Sequence, residues 1–438
     1  MSQQPTPHPQ ERLAREVVDC LRTAGHIAYY AGGCVRDRLL GRTPKDFDVA
    51  TDATPDRIRE IFGRRRTLAI GAAFGVISVL GRKDLGEDPI EVAAFRSDGN
   101  YADGRRPDSV VFTTPEEDAQ RRDFTINGLF FDPIQEQVID YVGGQQDLAT
   151  RQIRAIGNPD DRIAEDKLRL LRAVRFAATF DFDMEEETFA ALVKHADSIR
   201  VVSGERIGAE MRRLLASPHA HRGLELLVAS KLSDTMFSSL SDAWPTRCDK
   251  AESLGIELNL NGDDLLRSLL QSRPSLSFTS GLACCLFAAD CSADDVDSIL
   301  REISKAWRLS NEEAACVKDS LALLPQLVRA DQLAWSTLQP LLVSRHAQDA
   351  VEFAQTVTTA LGLPMTGIDL CEQRLAWALD RLNPPHLLSG DDLIRHGLSA
   401  GPLFKTIIED VRRKQLDGEL IDANAATEYV QERYVSSR

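Results

Sequence analysis

The sequence predicts an α/β domain built on one small mixed sheet, followed by helices alone to the C-terminus. Three observations carry this reading. Through about residue 150, β-rich stretches such as FGVISVL and PIEVAAF alternate with helical ones such as TPDRIREIF. From about residue 160, apolar residues recur only at three- and four-residue intervals, in RIAEDKLRLLRAVRFAATF, GERIGAEMRRLLA and HRGLELLVASKLSDTMF, and no strand is needed there. The length, 438 residues, exceeds what a single core usually organises, so several domains are expected.

Taken in order, residues 1–10 read as disordered, and residues 11–25 as a helix with Leu13, Val17, Val18 and Leu21 on one face. Ile27–Tyr30 follows as an apolar strand. AYYAGGCVRDRLLG then reads as strand, Gly32-Gly33 turn and helix, which directs free backbone N–H groups and the positive end of a helix at an anion. In KDFDVAT the alternation of Asp46, Phe47, Asp48 and Val49 fits a strand, whose side chains at i and i+2 share a face. Both carboxylates then point one way, while Phe47 and Val49 enter the core. QVIDYVGG is a further strand ending at glycines. The expected organisation is an α/β head over 11–150 and an all-α remainder: a neck over 151–232, a body over 233–380 and a tail over 381–438. The polar, poorly periodic stretch between about 233 and 260 marks a joint.

Composition narrows the function classes. With 52 basic and 67 acidic residues the formal charge is −15, which argues weakly against nucleic acid as a partner, and any RNA site must be local. No apolar run reaches the ~18 residues a membrane helix needs, and the first 25 residues lack the apolar core of a secretory signal, so a cytoplasmic protein without membrane contact is expected. The eight cysteines form no Cys-x-x-Cys pair and read as reduced, mostly buried thiols.

Two carboxylates on one face can share hard cations, and magnesium sites usually combine one or two carboxylates with substrate phosphate oxygens. An isolated Asp-x-Asp is more often an acidic strand end, and an isolated glycine pair a tight turn. Joined within sixteen residues, with no Gly-Lys-Ser/Thr to make a P-loop, they suggest a triphosphate bound with Mg2+ over Asp46 and Asp48.

The run GGCVRD, eight intervening residues and DFD resembles the opening signature of the class II template-independent nucleotidyltransferases, the tRNA CCA-adding enzymes and bacterial poly(A) polymerases. The resemblance implies the nucleotidyltransferase fold for the head. It implies that Gly32 and Gly33, with Arg36 after them, cradle the triphosphate, and that Asp46 and Asp48 hold two magnesium ions while an RNA 3′-hydroxyl attacks the α-phosphate and pyrophosphate leaves. Glu91, in PIEVAAFR, stands where the family often has another acidic residue; it either assists the metals or is a structural carboxylate. RRDFTINGLFFDP resembles the second motif, which implies nucleotide and ribose recognition by Arg121, Arg122, Asp123 and Asn127; the family usually has alanine where this chain has Gly128. Arginine donors suit phosphate oxygens, and Asp123 can accept from ribose hydroxyls.

AEDKLRLLRAVRFAA resembles the family's base-reading helix, with Glu165, Asp166 and Arg169 at the motif positions and Arg172 and Arg175 following at three-residue steps. A plain helical ion pair is the competing reading. Cytosine and adenine each present an exocyclic amine beside a ring-nitrogen acceptor, so one Asp166/Arg169 pair can take both and reject uracil and guanine, whose edges leave buried groups unpaired. The resemblance is close over residues 27–235 and returns at 391–420, like the helical, RNA-binding tail of these enzymes.

Two departures sort the family's members. Around Gly71 this chain has AIGAAFGVISV, where poly(A) polymerases commonly have two basic residues and phenylalanine, and this favours a tRNA-directed enzyme. RSDGNYADGRRPDSVVFTTPEED keeps the full-length loop that enzymes adding only the two cytidines shorten. No His-Asp dipeptide occurs, and His219-x-His221 falls on a predicted helix, where i and i+2 diverge, so no phosphohydrolase activity is expected. Basic clusters at Arg64–Arg66, Arg105-Arg106 and Arg412–Lys414 either meet tRNA phosphates or are solvated faces, the last cluster reading as solvated. The expected protein is a tRNA nucleotidyltransferase adding CCA, or its terminal A, from CTP and ATP. A poly(A) polymerase is the alternative, and a non-catalytic RNA-binding relative is the reading from another class.

Overall fold

The computed structural model describes residues 9–98, 110–242, 254, 260–273, 275–290 and 293–435. The chain divides into two compact units, one of residues 1–214 and 222–235, the other of residues 215–221 and 236–438.

The first unit is built on a seven-stranded mixed sheet. Its strands in chain order are β1 (Ala28–Ala31), β2 (Asp48–Thr51), β3 (Thr67–Leu68), β4 (Val76–Val79) and β5 (Ile90–Ala94), then, after a separate hairpin of β6 (Arg96–Asp98) and β7 (Val110–Phe112), β8 (Leu129–Asp132) and β9 (Gln137–Asp140). The sheet order is β3-β4-β5-β2-β1-β8-β9, and only β2 and β5 run parallel. Cα partners on adjacent strands share a face. The pairs Asp48 with Glu91, Glu91 with Ser78 and Ala31 with Asp48 therefore put both carboxylates in one row on one face.

The opposite face is closed by α1 (Pro9–Thr23), which buries Leu13, Val17, Val18 and Leu21 as its periodicity requires. That helix starts two residues before the expected span, and the strand expected at Ile27 starts at Ala28 and runs to Ala31. β2 likewise begins at Asp48, so Asp46 and Phe47 precede the strand instead of lying in it. The burial alternation nevertheless holds, with Phe47 and Val49 buried and Asp46 and Asp48 exposed.

The remaining helices of this unit are α2 (Gly33–Leu39), α3 (Pro55–Phe62), α4 (Pro115–Gln120), α5 (Gly144–Ala149), α6 (Pro159–Glu165), α7 (Arg169–Phe180), α8 (Glu186–His195), α9 (Gly204–Leu215) and α10 (Ala220–Ala229), α9 ending on the first residue of the other unit and α10 taking its first two residues from it. Proline at the first turn after Thr54, Thr114 and Asn158, each accepting a backbone N–H, sets the starts of α3, α4 and α6. The expectation of helices alone after residue 160 needs one correction. A two-residue strand β11 (Asp183–Met184) pairs in parallel with β10 (Gln152–Ile153). His219 precedes α10, and only His221 lies in it.

The regular elements described in the second unit are all helices. Helix Asn311–Val328, opened by a Ser310/Glu313 capping box, packs against Ala347–Ala360 and Phe278–Ala288. Leu393, Ile407, Val411, Ala426 and Val430 form a separate C-terminal core. No helix is long and apolar enough to cross a membrane among the described residues. The six described cysteines carry no disulfide, and five are buried; burial pushes Cys34 up to about 11 and Cys285 up to about 12, so these thiols stay protonated and inert. Cys248 and Cys291 lie outside the described residues.

Candidate active site

The strand-turn-helix at the glycine pair forms as its sequence requires. Gly32 adopts φ 69° and caps α2, its N–H donates to Leu129 O at 3.0 Å, and its carbonyl accepts from Val35 and Arg36. The positive φ disfavours any side chain at Gly32, and a Cβ there would lie 2.9 Å from Arg122 Nη1 and displace that guanidinium.

Arg122 is brought there by α4. Asp118, only 1% exposed, accepts Arg121 Nη2 at 2.7 Å on Oδ1 and Arg122 Nη2 at 3.0 Å on Oδ2, so one carboxylate holds both arginines at the helix end. Burial would raise the Asp118 pKa, but the two guanidiniums outweigh it and hold the carboxyl below its usual range.

Asp123 is the hub of the floor. Oδ1 accepts the Phe124 N–H at 2.8 Å and Asn127 Nδ2 at 3.0 Å, while Oδ2 accepts Arg172 Nε at 2.8 Å and its Nη2. Burial alone would push it up; the Arg172 guanidinium and these hydrogen bonds overcome that and bring it to about 2. All four acceptor positions are filled by the protein, so the ribose-accepting role expected of Asp123 would require one partner to move. Asn127 Oδ1 accepts Arg36 Nη1, which ties the floor back to α2, and Arg36 also pairs with Asp37 at 2.8 Å.

The expected base-reading helix is two helices. α6 ends at Glu165, Asp166 is extended (φ −141°, ψ 105°), and α7 begins at Arg169. Asp166 and Arg169 are therefore not the i, i+3 ion pair that a continuous helix would offer. Asp166 Oδ1 accepts the Leu168 N–H at 3.0 Å and Oδ2 accepts Arg206 Nη2 at 2.7 Å. Arg169 donates to Arg162 O, to Glu165 Oε2 at 2.6 Å and to Arg121 O at 3.0 Å. Two N–H groups of Arg169 and one acceptor position on each Asp166 oxygen have no partner among the described residues, and both side chains line the cleft. Glu165 does not line it; it braces Arg169 and Arg162 from behind.

The cleft, about 530 Å³, gathers Gly32, Gly33, Arg36, Asp48, Arg121, Arg122, Asp123, Asn127, Asp166, Arg169, Arg172 and Arg175. It also includes Phe176, which the sequence reading missed. Its ring lies under the guanidiniums of Arg175 at 3.9 Å, Arg172 at 5.3 Å and Arg36 at 5.4 Å. Arg175 is fixed by buried Glu210 on α9, and its pKa is lowered by burial. Asp118, Arg206 and Glu210 were also missed.

Crowding by protein, then the charge of neighbouring Glu91, raises Asp48 to about 6 against the pull of Arg122, with Asp46 adding to the rise. Asp46 and Glu91 are exposed and outside the cleft lining. Among the described residues no group of three or more His, Cys, Asp or Glu side chains is gathered to hold a metal ion. Of the basic clusters, Arg413 pairs with Asp410 and Lys414 with Glu419, Arg66 lies 3.4 Å from Glu16, and Arg105-Arg106 falls outside the described residues.

Known proteins resemble this chain along almost its whole length. Residues 28–154 match the family model described as poly A polymerase head domain, and residues 181–243 match one described as probable RNA and SrmB-binding site of polymerase A. The chain is 31% identical to the CCA-adding enzyme of Levilactobacillus brevis, covering 94% of this chain and 95% of that protein. It is 32% identical to that of Geobacillus thermodenitrificans, covering 94% of each. The crystal structure of the Bacillus stearothermophilus CCA-adding enzyme in complex with CTP superposes with TM-score 0.76 at 28% identity over 99% of both chains. With the glycine turn, the adjacent carboxylates and the arginine-lined cleft in one unit, and likeness along almost its whole length, the chain belongs to the CCA-adding enzyme family.

Proposed function

We propose that this protein is a tRNA nucleotidyltransferase that builds the 3′-terminal CCA from CTP and ATP without a nucleic-acid template. The observation that carries the reading is the single cleft in which Asp48 and the Gly32 turn face Asp166 and Arg169, joining a site for the triphosphate to a pair of side chains that can read a base.

Asp46 and Asp48 would hold Mg2+, and the donor set fits: Asp48 is crowded against a like charge that a cation would relieve. Because no third carboxylate is gathered with them, the remaining ligands must be phosphate oxygens and water, the usual coordination of magnesium. When bound, the metal would activate the RNA 3′-hydroxyl and stabilise the leaving pyrophosphate. The protein's own part is to position. Arg121 and Arg122, locked by Asp118, and the Gly32 turn would orient the triphosphate. Asp166 would accept the exocyclic amine of cytosine or adenine while Arg169 donates to the ring nitrogen. Uracil or guanine would face each with a group of the same kind, which a hydrogen-bonding site rejects strongly.

Purified protein is offered tRNAs ending before the first C, after CC and after CCA, with each nucleotide alone and with CTP and ATP together. The expected products are CCA on the first, a single A on the second and nothing on the third. Long adenylate tails on unrelated RNAs, with CTP ignored, would instead identify a poly(A) polymerase. Asp48→Ala is expected to abolish incorporation while tRNA binding persists; incorporation at the wild-type rate would refute the metal role.

A further inference from the structure

The second unit carries a stacked group of side chains that the nucleotide cleft does not use. Trp377 lies in the turn between helices Thr366–Leu375 and Leu379–Leu382, with Arg374 Cζ 3.9 Å and Arg381 Cζ 3.8 Å from its ring centroid. Both guanidiniums are therefore within stacking distance of one indole. Trp335 closes the edge, 5.5 Å from Trp377 and 5.2 Å from Arg374. Buried Gln339 fixes this corner by donating to Leu382 O at 3.1 Å and Asn383 Oδ1 at 3.0 Å.

Neither guanidinium has an acceptor among the described residues. Arg374 Nε is shielded from solvent with no hydrogen-bond partner, and the Asp380 carboxylate beside Arg381 turns to the Arg381 backbone N–H at 2.9 Å. Most arginines of the nucleotide cleft are held by carboxylates, whereas these two permanently charged forks are left open. The ring attracts each cation, the two like charges repel one another, and an anion that reaches both would relieve that repulsion. Their separate positions suit a polymer with a charge on every unit better than one small anion. In a chain of net charge −15 a polyanion is repelled at long range and must be met by fixed local cations.

We propose that Arg374 and Arg381, both stacked on Trp377, form a two-phosphate contact for the backbone of the RNA substrate, a proposal that rests on the tRNA reading above. The contact is to phosphate, so it adds affinity without base preference and responds to salt.

The test uses the full chain and tRNA lacking CCA, with binding measured by filter retention over a range of KCl and initial rates measured against tRNA and against CTP. Arg381→Gln, at an exposed position, and the Arg374→Gln/Arg381→Gln double variant are compared with wild type. The expected result is weaker tRNA binding whose log–log salt slope is shallower by about 1 for the single and about 2 for the double variant. The tRNA KM should rise, while the CTP KM and kcat at saturating tRNA stay unchanged. An active wild type whose double variant binds tRNA with unchanged affinity and slope overturns the arginine contact alone. A wild type that adds no nucleotide to any tRNA overturns the transferase reading, and this contact with it.

Discussion

Gly128 stands where the family usually has alanine, and its surroundings give the reason. A Cβ there would meet Val142 Cγ2 at 2.6 Å and Ile156 Cδ1 at 3.1 Å, although the backbone itself, near φ −86°, would accept any residue. The space that an alanine methyl would fill is taken by the valine. Gly128→Ala should therefore destabilise the protein by about 1–3 kcal/mol, the usual effect of overpacking, and Val142→Ala in the same chain should recover most of it. Urea unfolding of the two single variants and the double checks this; strict additivity would mean that the two side chains do not compete. Asp123 allows a prediction about pH. Its folded pKa of about 2 lies below the ordinary value of 3.8, so its stabilisation is complete above about pH 4 and is lost as pH falls toward 2. The urea-midpoint gap between wild type and Asp123→Asn should be flat from pH 7 to about 5, worth on the order of 2 kcal/mol, and shrink below pH 4. A gap that widens in acid would reverse the assigned direction.

The break between α6 and α7 shows what a single sequence leaves hidden. EDKLRLLRAVRF has unbroken helical periodicity and no glycine or proline, so it reads as one helix. The interruption comes from Asp166, whose carboxylate accepts the N–H of Leu168 two residues on, a local turn that competes with the helix. Aspartate's preference for such turns was the available signal; the long-range partner Arg206 was not, because forty positions separate it from Asp166. Asp118 was hidden for a related reason, since an acid three and four residues before two arginines looks like a surface ion pair until burial is known. By contrast the glycine turn and the alternation around Phe47 were legible, because local backbone geometry and core packing dictate them. Arg206 on α9 holds the outer oxygen of Asp166, so Arg206→Gln should loosen base choice more than catalysis. The ratio of kcat/KM for CTP over UTP, on tRNA ending before the first C, should fall by about tenfold, the effect of one charge-assisted hydrogen bond. An equal loss for both nucleotides would assign Arg206 to stability alone.

Helical periodicity after residue 160 gave no sign that the chain changes units three times. It leaves the first unit at Leu215, returns at Arg222 and leaves again at Met236, the last change close to the polar joint that composition marked near 233. The earlier excursion is invisible in sequence because Leu215–His221 is a helix end, a short turn and a helix start, indistinguishable from any other connection. Its importance is structural: Leu215 and Ala220 are buried, and Gly281 approaches so closely that a Cβ there would lie 3.1 Å from Leu215 O. The segment is therefore a piece of the second unit's core supplied from outside its main run. A fragment beginning at residue 236 should lack that piece, leaving an apolar notch against helix Phe278–Ala288, whereas one beginning at 215 keeps it. Loss of a buried leucine removes about 1.5–3 kcal/mol of burial, which for a fragment of this size lowers the melting temperature by about 5 °C. Differential scanning calorimetry of the two fragments measures the difference. Equal melting temperatures would mean that Leu215–His221 is only a connection and that the second unit's core closes without it.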